Sequence, residues 1–452
     1  MHLLEIKIFF FSALFLFFLG RFSPLNKWIV SARKWPFLTL VFILLFVSLF
    51  LSGGEASGLS VDTLDNSRFL KIGLLIGLAG ISWCEIVLRG VHLKENGLGL
   101  AVMLLFSIVA MISSIYSSNK LLSFWKGFEV FASILVFLFF SSYIQKLEDI
   151  ENFLNILWLI LFFLVITALV GGVLDPHHAF VKQKYGVGAQ AFEYWGIFPR
   201  LNPNSLAQLG TIVGGVGLVT ARYSKRHKDA VCALAIASFG LIALILSHSR
   251  TSLFSFLIVT IFIFFCGRRK ISSFILFVFS LVIITTFGGG KLITEYVMRG
   301  QSSELFFSMS GRTYFWDYVW HAIKVSPIFG HGYYAGHRQL NLGRIQLECS
   351  SVDNTYLEVL VDLGVVGLTI LLTALITVAW SLYKYRPSVI EKELRSMWDS
   401  IWLLLLVLIF PIFIRSLTGP TFQVHHFNLF LFLILIICSA KVVRIFYLKK
   451  CL

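Results

Sequence analysis

The fold this sequence predicts is an all-α, polytopic membrane protein of about 12 to 13 transmembrane helices with one large, partly helical outer loop, and three observations predict it. Of 452 residues, 58% are hydrophobic and 13% charged, against roughly 45–50% and about 25% in soluble domains. Apolar runs long enough to cross a bilayer as helices recur along the whole chain. The Lys and Arg residues collect in short segments between those runs, as membrane topology requires. The net charge of +15 is therefore assigned to orientation in the membrane and not to nucleic acid.

Spans are expected near 3–20, 35–52, 69–88, 97–117, 121–143, 152–174, 204–221, 230–247, 251–266, 271–288, 358–380, 398–417 and 428–446. The segments 21–34, 89–94, 144–151, 222–229, 267–270, 384–395 and 441–450 hold 22 of the 38 Lys and Arg residues, and all fall on one side under strict alternation. The positive-inside rule makes that side the inner one. Thirteen spans put the N-terminus outside; if residues 3–20 lie along the interface, there are twelve spans and both ends are inside. The run Ile8–Leu19 reads as a retained span, because no small-residue cleavage site follows it before Arg21, Lys27, Arg33 and Lys34. Cys84, Cys232, Cys266, Cys349, Cys438 and Cys451 show no Cys-x-x-Cys spacing and imply neither disulfides nor a metal site. No internal repeat suggests an inverted-repeat transporter.

Three segments fall on the outer side. The loop 53–68 carries Glu55, Asp62 and Asp65 but no Asp-x-Asp pair to hold a divalent ion. The segment 175–203 contains His177, His178, Lys182, Lys184, Glu193 and Arg200. The segment 289–357 is far too long for a simple connector, and such loops usually carry function.

Within these segments the polar residues form several constellations. Arg200 lies in Phe198-Pro-Arg-Leu-Asn-Pro-Asn-Ser205, which leads into a span that Asn204 and Ser205 can cap. An Arg beside a helix N-terminus is a seat for phosphate, or else an interfacial anchor for lipid headgroups. The same two readings apply to Arg250 in the tight hairpin Ser247-His-Ser-Arg-Thr-Ser252, whose guanidinium offers a diphosphate the fork that Lys lacks. In Ser310–Lys324, Phe315, Trp316, Val319, Trp320 and Ile323 recur at helical spacing and predict an amphipathic helix resting on the protein or the interface, with Arg312 at its start. Asp353 and Asn354 stand at the mouth of the next span, where a carboxylate acts as a general base or merely caps the helix. His331, His337 and the pair His425-His426 lack a carboxylate or Cys at ligand spacing, so no metal is expected. Lys71, Glu85 and Lys126 inside spans are expected to pair or to line a polar cavity, the feature that most favours a transporter.

These residues resemble the O-antigen ligase and polymerase family. The resemblance rests on Asp353-Asn354, nine residues, then Gly364-Val-Val-Gly367 after a large outer loop. Gly311-Arg312, Trp316, Pro327 and Gly330-x-Gly332 also look like the family pattern, as do Arg200 with Asn202 and Asn204, and the Ser249-Arg250 turn. The similar region covers roughly residues 195–375. One departure stands out: the family motif opens with His where this chain has Asp353.

The resemblance implies a multi-pass protein of the bacterial inner membrane whose site faces the periplasm. Residues 1–190 and 381–452 would be N- and C-terminal transmembrane helices, and 191–380 a ligase-like catalytic region containing the periplasmic loop 289–357. It implies a glycosyltransferase that takes a glycan from an undecaprenyl-diphosphate carrier and delivers it, with inversion, to lipid A-core or to another glycan. No cofactor and no metal are implied; the other partner is membrane lipid. Arg200, Arg250 and Arg312 would hold the diphosphate, whose leaving charge guanidinium groups stabilise. Asp353, Arg312 and Arg200 would be the catalytic set, supported by Asn204, Asn354, Trp316, His331 and His337. Asp353 would be the base, or His331 or His337 would fold back to supply imidazole. Two alternatives remain open at this point: a repeat-unit polymerase of the same family, and a lipid-glycan flippase, which would have no need of so large an outer loop.

Overall fold

A computed structural model describes the chain apart from Met1, residues 20–22, 51–65, 91–96, 183–191, 266–295, 297, 299–301, 310–311, 343–344, 349–350, 390–391, 423–425 and Leu452. In chain order its helices are α1 (His2–Leu19), α2 (Ser23–Lys34), α3 (Pro36–Phe50), α4 (Asn66–Leu88), α5 (Gly97–Ile112), α6 (Lys120–Ser142), α7 (Leu147–Leu174), α8 (Pro176–Ala179), α9 (Pro203–Tyr223), α10 (His227–Leu246) and α11 (Arg250–Phe265). They continue as α12 (Ser303–Phe307), α13 (Arg312–Val325), α14 (Thr355–Lys384), α15 (Lys392–Ser416) and α16 (Phe427–Cys451). Two short 3-10 helices (Ser113–Ile115 and Pro387–Val389) and two antiparallel hairpins, β1 (Phe180–Lys182) with β2 (Phe192–Tyr194) and β3 (Gln339–Leu342) with β4 (Ile345–Glu348), complete the described elements. The all-α, multi-pass architecture is thus present, and the two hairpins are additions that the apolar pattern does not signal.

Eight helices among the described residues are long and apolar enough to cross a membrane, or nine if the broken pair Pro24–Lys34 and Pro36–Leu49 is one span. The expected span 204–221 is helical as α9, but four glycines with Gln208 and Thr211 leave it less apolar than those eight. The span expected at 251–266 is α11, an apolar helix of 16 residues. The expected span 271–288 and the loop 53–68 with Glu55, Asp62 and Asp65 lie outside the described residues, as do Lys184, Cys266, Cys349 and His425.

The chain divides into two compact units. The first comprises Met1–Lys34, Leu154–Ser310 and Leu403–Ile414. Its centre is the α9–α10 pair, where the backbones meet: a Cβ on Gly210 would stand 2.5 Å from the Gly240 carbonyl oxygen. Only small residues allow that approach, and it lets packing substitute for the weak hydrophobic drive between helices in lipid. The second unit comprises Trp35–Phe153, Gly311–Trp402 and Arg415–Leu452. Phe42, Phe137, Phe140 and Phe430 interlock edge-to-face or tilted in its core, arrangements favoured by the ring quadrupole. Lys71, Glu85 and Lys126 of its spans are paired: Glu129 receives Lys71 at 2.8 Å and Lys126 at 2.9 Å, and Arg89 meets Glu85 at 2.8 Å.

Helix α14 is broken at Gly364, whose φ is 63° and whose Cβ, if present, would lie 2.2 Å from the Ile328 carbonyl oxygen. The break frees backbone groups, and the Gly-rich turn 326–337 takes them up. His331 and Gly332 donate their N–H groups to the Val361 and Asp362 carbonyls at 2.9 Å each, and Val365 donates to Pro327 O at 2.9 Å. Irregular backbone at membrane depth persists only when such groups are re-satisfied. The first glycine of Gly364-Val-Val-Gly367 is thereby explained: a side chain there meets both a strained φ and a backbone oxygen.

Candidate functional site

In the second unit, residues gather at the N-terminus of α14. Asn354 caps the helix, its Oδ1 accepting from Tyr356 N at 3.0 Å and Leu357 N at 3.1 Å. The cap expected of Asp353 therefore belongs to its neighbour. Asp353 sits one position earlier at φ 56°, a conformation that Asp tolerates better than most residues, and its Oδ2 pairs with Arg312 Nε at 3.0 Å. Arg312 opens α13, and its NH1 also donates to Thr418 O at 3.2 Å.

Position is set by packing on both sides of that pair. Val319, Ala322 and Ile323 of α13 bury against Val352, Leu360 and Val361, with Phe315 and Trp316 alongside. Trp316 Nε1 donates to Val352 O at 3.0 Å, next to Asp353. The amphipathic helix thus forms as expected, although Trp320 turns away and is 47% exposed. On the other side the segment 416–421 is stitched to α14: Asn354 Nδ2 to Leu417 O at 3.3 Å, Thr355 Oγ1 to Gly419 O at 2.7 Å, and Ser416 Oγ to Tyr356 Oη at 2.9 Å.

Sequence reasoning misses Arg415, at the end of α15. Its guanidinium lies within electrostatic reach of Asp353 and Arg312, and a Cβ on Gly419 would stand 2.9 Å from its Cζ. Arg415 makes no hydrogen bond or ion pair with the described residues. The available signal is an Arg near the end of an apolar span, a position that is costly unless used. Two guanidinium groups and a helix N-terminus face one carboxylate here, so the site carries excess positive charge suited to an anion. His426 stands nearby; burial first, and then the Arg415 charge, push its imidazole down to about 4. It is uncharged at neutral pH.

The other two histidines are engaged elsewhere in the same unit. His337 is buried, and its Nδ1 lies 3.0 Å from both Asp362 carboxylate oxygens. Burial is the largest influence and lowers its pKa, but the Asp362 and Glu358 carboxylates together outweigh burial and raise it. His331 Nε2 bonds to Ala322 O at 2.9 Å. Neither imidazole is folded back as a free base. Glu358, fully buried, accepts from Ser351 Oγ at 2.5 Å and Val352 N at 2.7 Å, which holds the Ser351–Asp353 turn.

The first unit contains Arg200, Asn204 and Arg250. Asn202 caps α9 by accepting from Asn204 N at 2.9 Å, with Pro203 at the first helical position. The capping role expected of Asn204 is thus taken by Asn202, and Asn204 Oδ1 instead accepts from Ser249 Oγ at 2.8 Å. Ser249 also donates to Ser252 Oγ at 3.2 Å, and Thr211 Oγ1 donates to Ser252 O at 3.0 Å. These bonds bring the starts of α9 and α11 together. Arg250 is the first residue of α11, its guanidinium 5.2 Å from the Phe306 ring centroid. Arg200 is exposed, 5.5 Å from the Trp195 ring centroid.

No group of three or more His, Cys, Asp and Glu residues suited to a metal ion occurs among the described residues. No curated protein matches the chain. A family model described as O-Antigen ligase matches residues 233–372, a stretch that includes Ser249-Arg250, Arg312, Asp353-Asn354 and the Gly364 break. The chain is therefore a multi-pass, all-α membrane protein whose residues 233–372 are similar to the O-antigen ligase family.

Proposed function

We propose that the chain transfers a glycan from an undecaprenyl-diphosphate carrier to a hydroxyl of lipid A-core or of another glycan, at the periplasmic face of the bacterial inner membrane. The observation that carries this reading is Arg415, half-buried and without a protein acceptor among the described residues, beside the Arg312–Asp353 pair at the N-terminus of α14. A guanidinium held there without an acceptor suits a leaving diphosphate, because fixed positive charge aimed at developing negative charge lowers the barrier.

The chemistry follows from those groups. The acceptor oxygen attacks the anomeric carbon, the bond from that carbon to the diphosphate oxygen breaks, and its electron pair leaves with the diphosphate. Arg312 and Arg415 stabilise that charge, and Asp353 takes the acceptor proton. Attack opposite the leaving group inverts the anomeric centre. Within the first unit, Arg200 and Arg250 bind phosphate on their own account, beside the hydrogen-bonded starts of α9 and α11. The apolar spans receive the polyprenyl chain.

The test is purified protein with an undecaprenyl-diphosphate oligosaccharide, with and without lipid A-core, and with EDTA throughout. A single product on lipid A-core identifies a ligase, and a ladder formed without it identifies a repeat-unit polymerase. Intact donor in both reactions, with the donor moved across the bilayer of a proteoliposome, refutes the proposal and identifies a flippase.

A further inference from the structure

A second set of cations lies in the same unit, farther along α14, where the sequence signals no site. The Gly-rich turn presents Tyr334 at φ 62°, held there by its N–H, which donates to Asp362 Oδ2 at 2.8 Å. His337 N donates to the other oxygen of that carboxylate at 2.9 Å. Asp362 is thus occupied in shaping the turn, about 10 Å along the helix axis from Thr355 at 1.5 Å per residue. Two positive side chains flank the Tyr334 ring: Arg338 Cζ is 4.3 Å and Lys126 Nζ 5.0 Å from its centroid.

The carboxylates there are already engaged: Asp362 lies 3.0 Å from His337 Nδ1. Glu129 is one carboxylate between two ammonium groups, Lys71 and Lys126, and it also accepts from Trp125 Nε1 at 3.0 Å. Arg338 has no carboxylate and no hydrogen-bond acceptor among the described residues, and its Nε is sealed from solvent. A guanidinium has five donors, and buried donors are nearly always satisfied. Two like charges beside one ring, with the Arg338 Nε buried and without an acceptor among the described residues, favour an anion there.

We propose that Arg338, Lys126 and Tyr334 bind an acidic group, a phosphate or a carboxylate, carried by the acceptor glycan. This rests on the glycan-transfer reading, in which the donor's diphosphate takes the arginines at the N-terminus of α14. A second anion site along the same helix then fits a second charged group on the other substrate. The turn is fixed by Asp362 and by the Gly364 break, so the site is organised before ligand arrives.

Direct binding tests the inference without any need for transfer. Trigalacturonate, glucose 6-phosphate and the neutral maltotriose are titrated into the purified protein and its Arg338→Ala and Arg338→Lys variants, in nanodiscs of zwitterionic lipid and again with phosphatidylglycerol. Thermal melting checks that each variant is folded. The acidic saccharides should bind about tenfold or more tighter than maltotriose, the margin of one charge-assisted hydrogen bond. Added NaCl should shrink that margin, Arg338→Ala should erase it, and Arg338→Lys should keep part of it. In transfer reactions, Arg338→Ala should lower the ratio of kcat/KM for acidic over neutral acceptors.

Equal binding of acidic and neutral saccharides by folded wild-type protein, or an equal loss for both in Arg338→Ala, would overturn the site. Displacement of the acidic saccharides by phosphatidylglycerol, dependent on Arg338, would overturn the acceptor as its occupant and assign a lipid headgroup instead. Absence of transfer with every acceptor would bring down the glycan-transfer reading, while the binding preference would still decide whether the anion site exists.

Discussion

Two clusters of arginines, one in each unit, stand beside helix N-termini and are built on different principles. At α14, Arg312 is fixed by an ion pair and a backbone carbonyl, beside a carboxylate and a second guanidinium. At the start of α9 and α11 the order lies in the backbone turn, through Asn204, Ser249 and Ser252, while Arg200 and Arg250 lie against aromatic rings. Cation–π contacts at exposed sites are worth about 0.5–1 kcal/mol, whereas charged hydrogen bonds are worth about 1.5–3 kcal/mol. Arg312 is therefore held by directional contacts, while exposed Arg200 rests on a ring.

The largest effect should come from Asp353. As the base, Asp353→Ala should lower the transfer rate by about 10²–10⁴, with Asp353→Asn no better; a loss under about tenfold would reduce Asp353 to a partner of Arg312. Next, Arg312→Ala and Arg415→Ala should each cost about 10²–10³ in kcat, measured as initial rates at saturating donor. Arg200→Ala should instead raise the KM for donor more than it lowers kcat, and an equal kcat loss would erase the contrast between the two clusters. Ser249→Ala removes the hydroxyl that bonds Asn204 and neighbours Ser252, so the protein should lose about 1 kcal/mol of stability, read as a melting temperature lowered by a few degrees.

The smallest effect is a pH response. Burial, aided by Arg415, lowers His426 to about 4, so the folded state favours the neutral ring. The stability this gives is complete above about 6.5, the ordinary value, and is lost as pH falls toward about 4. His426→Gln should flatten the decline of melting temperature across that window. His337 has the opposite sign: its raised pKa adds stability below about 6.5 that is lost as pH rises through its folded value. His337→Gln should therefore act on the neutral-to-alkaline side, and matching profiles for both variants would refute the assignment.

What the sequence makes legible is what periodicity and caps record. The spacing of Phe315, Trp316, Val319 and Ile323 reveals α13, and Asp353-Asn354 before an apolar run marks the start of α14, although the cap is Asn354 and not Asp353. The apolar runs reveal the spans, but α9 shows the limit: its glycines serve close packing against α10 and dilute its apolarity. Arg415 escapes because nothing within its own span shows that Gly419 opens room for a guanidinium beside Asp353, 62 positions earlier in the chain. His337 reads as a spare imidazole until the fold sets it on Asp362, across a helix break that only Gly364 announces. Long-range pairing of this kind leaves no local pattern.

The most direct test of the central claim is the release of undecaprenyl diphosphate, counted against glycan bonds formed, for wild-type protein and Arg415→Ala. The account predicts one diphosphate carrier released per bond in both proteins, with the rate in Arg415→Ala lower by about 10²–10³ and the fold intact. Release at the wild-type rate in the folded variant would contradict it, because an arginine without a partner among the described residues would then have no part in the leaving group's departure.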